Sequence, residues 1–224
     1  MSAFLATWFV NVDWADIGWA GVDTLLMLGG SLSLTLLLGL PLGGLLFLTS
    51  PGQLHDSPRV YATVSLAVNI LRSLPFVILL IAMIPVTVFL TGTSLGVAGS
   101  IPSLVAAGIP FFGRLVESAL REVDRGIIEA SQAMGANTRQ IVFGALLAEA
   151  LPGILAAATV TAIALVSYSA LAGVVGGGGL GDLAIRYGYQ RFQLDVMFIT
   201  IVLLLLLVQV LQSIGNRLVL HFSR

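Results

Sequence analysis

The chain is written in long apolar blocks separated by short polar ones. Five blocks are long enough to cross a bilayer as helices, which takes ~20 mostly apolar residues. They run from about Thr24 to Leu48, Val60 to Leu90, Leu95 to Gly113, Leu151 to Val175 and Leu194 to Ile214. Helix is the required form, because backbone groups in hydrocarbon have no water to bond and must bond within their own segment. The first block carries Ser31, Ser33 and Thr35 but no charge. The second is broken by Arg72-Ser73-Leu74-Pro75, and the fifth contains an unbroken leucine run from Leu203 to Leu207.

Composition agrees with this pattern and excludes several chemistries. Hydrophobic residues make up 58% of the 224 positions and charged residues 9%, against roughly 25% charged in a soluble domain. A net charge of -1 gives no electrostatic reason for nucleic-acid binding. There is no Cys, so disulfides and thiolate sites are excluded. All ten basic residues are Arg. A P-loop needs a Lys to reach the nucleotide phosphates, so the energy for any active transport comes from a partner or an ion gradient.

Arg placement sets the direction of the spans, because short Arg-rich loops stay cytoplasmic. Placing the Asp56 region and the Gly113 to Glu149 region inside gives the cytoplasm Arg59, Arg114, Arg121, Arg125, Arg139, Arg217 and Arg224, leaving Arg186 and Arg191 outside. The expected topology is N-out, C-in. The segment 1–23 fits an outer interfacial anchor: it has Asp13, Asp16 and Asp23, no basic residue, and all three tryptophans, Trp8, Trp14 and Trp19. It lacks the basic n-region and small-residue cleavage site of a signal peptide.

One polar stretch is too long for a simple turn. From Arg114 to Glu149 the sequence predicts a short helix, a break and a second helix. Asp124 suits the N-cap of the first, Ile127, Ile128 and Met134 give it an apolar face, and Gly135 suits a left-handed C′ position. Asn137 followed by Gln140 predicts a capping-box variant for the second. On pattern alone, the short helix either lies among lipid headgroups or docks its apolar face into a partner.

Here the residues resemble a known family. Glu129-Ala130-Ser131, then Gly135-Ala136, are similar to the EAA loop of type I ABC importer permeases, and that resemblance implies a cytoplasmic coupling helix seated in a groove of an ATPase subunit. The implied coupling residues are Glu129, Ala130, Ser131, Met134, Gly135 and Ala136. The chain departs from the family pattern in one place: Leu147-Ala148 stands where a Leu-Pro is usual, and Pro152 follows later, which implies a straighter run into span four.

The pieces Gly39-Leu40-Pro41, Ser50 to Gln53, Asn69 to Phe76, Met83-Ile84-Pro85, Glu149 to Gly153, Tyr168-Ser169-Ala170 and Tyr187-Gly188-Tyr189 resemble the methionine-uptake permeases of that superfamily. The resemblance covers about residues 24–220. It implies an all-α integral membrane fold with five transmembrane helices and a coupling loop over 114–149. It also implies a homodimeric pore, two ABC ATPase subunits carrying ATP and Mg, and a substrate-binding lipoprotein outside. This chain itself would hold no cofactor.

Single residues are weighed beside it. Arg72 is the only charge inside a long apolar stretch; it either meets a substrate carboxylate, holds a broken helix, or snorkels to the interface. Ser167, Tyr168 and Ser169 either line a gate or bond back to their own helix. Asn69 and Met83 complete the candidate pathway set. Gly176 to Gly181 formally matches a dinucleotide fingerprint, but it follows a membrane helix and not a strand; a flexible outer loop is expected instead. His55 and His221 show no metal-ligand spacing. An ion-coupled carrier would show internal repeats and acidic residues within its spans, and a membrane enzyme would show a nucleophile or metal cluster; neither pattern is apparent. Another amino-acid or osmolyte permease stays open as an alternative.

Overall fold

The computed structural model describes residues 11–223. Trp8 lies outside them. The described chain is helical: α1 (Trp14–Thr49), α2 (Pro58–Ser73), α3 (Phe76–Ala82), α4 (Ile84–Thr91), α5 (Gly96–Arg121), α6 (Arg125–Ala133), α7 (Thr138–Gln140), α8 (Leu147–Ala172), α9 (Gly179–Leu183) and α10 (Leu194–Phe222). Among the described residues, α1, α5, α10 and the segment Leu151–Val175 are long and apolar enough to cross a membrane.

The second apolar block is not one straight span. Pro75 lacks an N–H to continue α2, and α2 and α3 meet at a bend of 103°. A further break follows at Met83, the C-cap of α3, before α4. The break read at Arg72 to Pro75 is therefore a change of direction, and a fifth span exists only if the bent pair counts as one.

The chain divides into two compact units, Met1–Ser33 with Leu74–Ala106 and Ala162–Leu211, and Leu34–Ser73 with Ala107–Thr161 and Gln212–Arg224. In the second, Phe47, Phe112, Val116, Leu120, Ile128, Ile141, Leu146 and Ile154 form the core. Helices α1 and α5 meet there through small residues. A Cβ on Gly39 would lie 2.8 Å from Phe112, and one on Gly43 2.6 Å from the Gly113 carbonyl oxygen. Such Gly-x-x-x-Gly contacts replace the hydrophobic drive that lipid cannot supply, since close backbones gain dispersion contacts.

In the first unit, Ile17 and Ala20 of α1 pack against Leu180 and Leu183 of α9. Thr24 Oγ1 ties the two together by accepting the Leu180 N–H at 2.9 Å. The run Gly176 to Gly181 is a packed turn, contrary to the flexible loop expected from its composition. Gly178 and Gly179 adopt φ of +78°, which side chains other than glycine resist. Gly179, Leu180 and Gly181 are buried. Gly181 lies against the Ala170 backbone so closely that no Cβ fits. The glycines serve close backbone approach.

Candidate functional site

Helix α6 begins as its sequence predicts. Asp124 is the N-cap and its carboxylate accepts the Gly126 N–H at 2.8 Å, satisfying one of the free donors at a helix start. It ends in a Schellman turn: Gly135 at φ +80° donates its N–H to Gln132 O at 2.9 Å, and Ala136 donates to Ser131 O at 3.1 Å. Asn137 and Gln140 then exchange reciprocal bonds of 2.8 and 2.9 Å, a complete capping box. Two consecutive caps on nine and three helical residues define this loop tightly.

The direction of the apolar face differs from the expectation. Ile128 and Ser131 are buried, and Ile127 is partly buried against the same core. The chain's own body receives this face. What α6 leaves outward is the opposite side and its end: Glu129, Ala130 and Gly135 are exposed, and Met134 is 81% exposed. Ser131 donates to Ile127 O at 2.7 Å and serves the helix. Ala136 is half-buried behind the turn.

After α7 the backbone stays helical but changes register. Ile141–Leu146 is π-helical before α8 begins, and Pro152 lies within α8. A wider i→i+5 turn inserts an extra residue per turn, which α-helical spacing does not anticipate.

The sequence reading missed a polar cluster at the end of α5. Helix α5 continues to Arg121, so Arg114 and Glu117 are helical and not part of a loop. Glu117 is 2% exposed. Its carboxylate accepts from Arg114 Nη1 at 2.7 Å, from Arg121 Nη2 at 2.7 Å and from the Tyr61 hydroxyl at 3.2 Å. Arg114 also donates to Ser65 Oγ and Asn69 Oδ1, both at 2.8 Å. The network fastens α2 to α5. Its sequence signal was available: Arg114, Glu117 and Arg121 stand at the i, i+3, i+7 spacing that puts all three on one helix face.

Asn69 is engaged by Arg114. Arg72 is exposed in the last turn of α2, its guanidinium carbon 5.8 Å from the Phe111 ring centroid. Met83 is half-buried at the break between α3 and α4. Ser169 is buried and donates to Val166 O at 2.8 Å, bonding its own helix. Ser167 is exposed. Tyr168 stacks on Phe76 with ring centroids 4.7 Å apart and planes 10° apart, joining α8 to the start of α3. His55 and His221 belong to no metal-ligand group among the described residues.

Known proteins share both this sequence and this fold. A probable D-methionine transport system permease protein, MetI, of Vibrio cholerae is 50% identical over 182 residues, covering 81% of each chain. The methionine import system permease protein MetP of Bacillus subtilis is 46% identical over 209 residues, covering 93% of this chain and 94% of the relative. A chain from inward-facing conformations of the MetNI methionine ABC transporter superposes with a TM-score of 0.91 at 46% identity, covering 95% of this chain and 100% of that one. An amino acid ABC transporter crystallised with histidines shares the fold, at a TM-score of 0.74 and 15% identity. Residues 35–223 match the binding-protein-dependent transport system inner membrane component family. This match, the multi-pass helices and the capped polar loop agree, and the chain belongs to that family of inner membrane components.

Proposed function

We infer that this chain is the membrane-spanning permease subunit of an ATP-driven methionine importer. The observation that carries the reading is identity of 46% with the Bacillus subtilis permease sustained over 93% of the chain. Similarity of that extent includes the spans as well as the loop.

The working assembly is a pair of these chains, two ABC ATPase subunits holding ATP and Mg on the cytoplasmic side, and a methionine-binding lipoprotein outside. The chain lies N-out and C-in, with 24–220 as its transmembrane domain and 1–23 at the outer interface. The coupling loop is the part of 114–149 that follows the end of α5 at Arg121. Because Ile128 and Ser131 are buried, the ATPase meets Glu129, Ala130, Met134 and Gly135, while Ser131 and Ala136 hold the turn in shape. Closure of the ATPase pair on ATP displaces α6, and the core under Ile128 carries that displacement into α1, α5 and α8, favouring the outward-open state. Arg72, Asn69, Met83, Ser167, Tyr168 and Ser169 are the pathway candidates; Tyr168 stacked on Phe76 and Asn69 held by Arg114 each join a straight span to the broken one.

The test is reconstitution of permease, ATPase and binding protein in proteoliposomes. ATP hydrolysis and uptake should rise with methionine and stay at baseline with histidine or glycine betaine. Equal stimulation by another amino acid and none by methionine would replace the substrate assignment. Absence of any stably bound ATPase would remove the coupling role.

A further inference from the structure

A groove of about 580 Å³ opens beside the second half of α1 and the start of α8. Its walls are apolar, and include Leu45, Gly44, Val142 and Phe143. Among the described residues its only polar lining residues are Thr138, Arg139 and His55, and none of them is a carboxylate. Two local irregularities line the space: Pro41 inside α1, and the π-helical turn before α8 that supplies Val142, Phe143 and Leu146. Phe143 is 71% exposed and Leu45 is exposed. Arg139 and His55 are exposed and enter no ion pair among the described residues. The neighbouring Asp56 is occupied in accepting the Gly52 N–H.

We propose that this groove binds one anionic phospholipid, with an acyl chain lying along Gly44, Leu45 and Phe143 and the phosphate held by Arg139 and His55. The charge pattern chooses the occupant. An Arg with a His ring N–H donor beside it, at the interfacial end of an apolar groove, matches a lipid that is anionic at its head and apolar along its tail, and basic pockets between membrane helices bind such head groups. A soluble ATPase does not fit, because the groove follows α1 at positions 40–48, within an apolar span. A second copy of the chain does not fit either, since it would cover Arg139 without a carboxylate from this surface, and unpaired buried charge is costly. The occupied groove would sit next to the capping box at Asn137 and Gln140, so lipid binding would brace the hinge through which α6 connects to α8.

The test uses the importer assembled with its ATPase, extracted in mild detergent and weighed by native mass spectrometry after exchange into phosphatidylcholine containing phosphatidylglycerol. One phosphatidylglycerol should be retained per permease. Arg139→Ala should reduce retention about fivefold, the effect expected of one interfacial cation, and the double variant with His55→Ala should reduce it further. Gly44→Phe should abolish retention while leaving Arg139 and His55 in place; no heavy atom lies within 4 Å of a Cβ built there, so the ring is free to enter the groove. Inorganic phosphate should not displace the lipid. Four results overturn the proposal: unchanged retention in Gly44→Phe; equal retention of phosphatidylcholine, which would mean an ordinary lipid annulus; displacement by phosphate alone, which would mean an anion site without a lipid tail; and crosslinking of position 139 to the ATPase.

Discussion

Removing the carboxylate of Glu117 tests the network that joins α2 to α5. Glu117→Ala deletes the acceptor of two guanidinium bonds of 2.7 Å and of the Tyr61 hydroxyl bond. A hydrogen bond to a charged group contributes about 1.5–3 kcal/mol. The bond to Arg121 counts for less, about 0–1 kcal/mol, because that side chain is 43% exposed and water can replace its partner. Arg114 is 20% exposed and keeps Ser65 and Asn69, so its loss is partial. The total comes to about 2–4 kcal/mol. For chains of this length each kcal/mol moves the melting midpoint by about 2–4 °C, giving a fall of about 4–16 °C. Glu117→Gln keeps the shape and one acceptor oxygen, and should lose about half as much. The assay is thermal denaturation of the detergent-solubilised permease, followed by size-exclusion fluorescence. A midpoint for Glu117→Ala within about 1 °C of the unmodified protein would refute the reasoning, and so would a larger fall for Gln than for Ala.

Further outcomes follow from the same contacts. Gly135→Pro removes the N–H given to Gln132 and cannot reach φ +80°; uptake should vanish while membrane insertion stays normal, as read by fractionation. Asn137→Ala breaks the capping box and should cost about 1 kcal/mol locally, visible as faster amide exchange over 137–141 by mass spectrometry. Gly215→Leu places a side chain into Thr159 where no Cβ fits, and should destabilise the packing of α8 with α10 by about 1–3 kcal/mol, lowering the denaturation midpoint. Tyr168→Ala gives up the stack on Phe76, worth about 0.5–1.5 kcal/mol, and should raise ATP hydrolysis in the absence of substrate if the stack closes the pathway.

What the linear sequence determined is local. Long apolar blocks dictate membrane helices because hydrocarbon offers backbone groups no other partner. Asp124, Gly135, Asn137 and Gln140 dictate the ends of α6 and α7, because caps are bonds between residues two to five apart. Family membership was equally legible, since the loop residues from Glu129 to Ala136 lie together in the sequence. Tertiary structure alone decided which side of α6 is free: Ile128 belongs to one core with Phe47 and Leu120, and apolar periodicity marks a buried face without naming what buries it. It also decided that Glu117, in a stretch read as part of the polar loop, is a buried acceptor reaching across 56 positions to Tyr61. The glycines from 176 to 181 taught the same lesson, because composition cannot distinguish a glycine kept for mobility from one kept so that two backbones can touch.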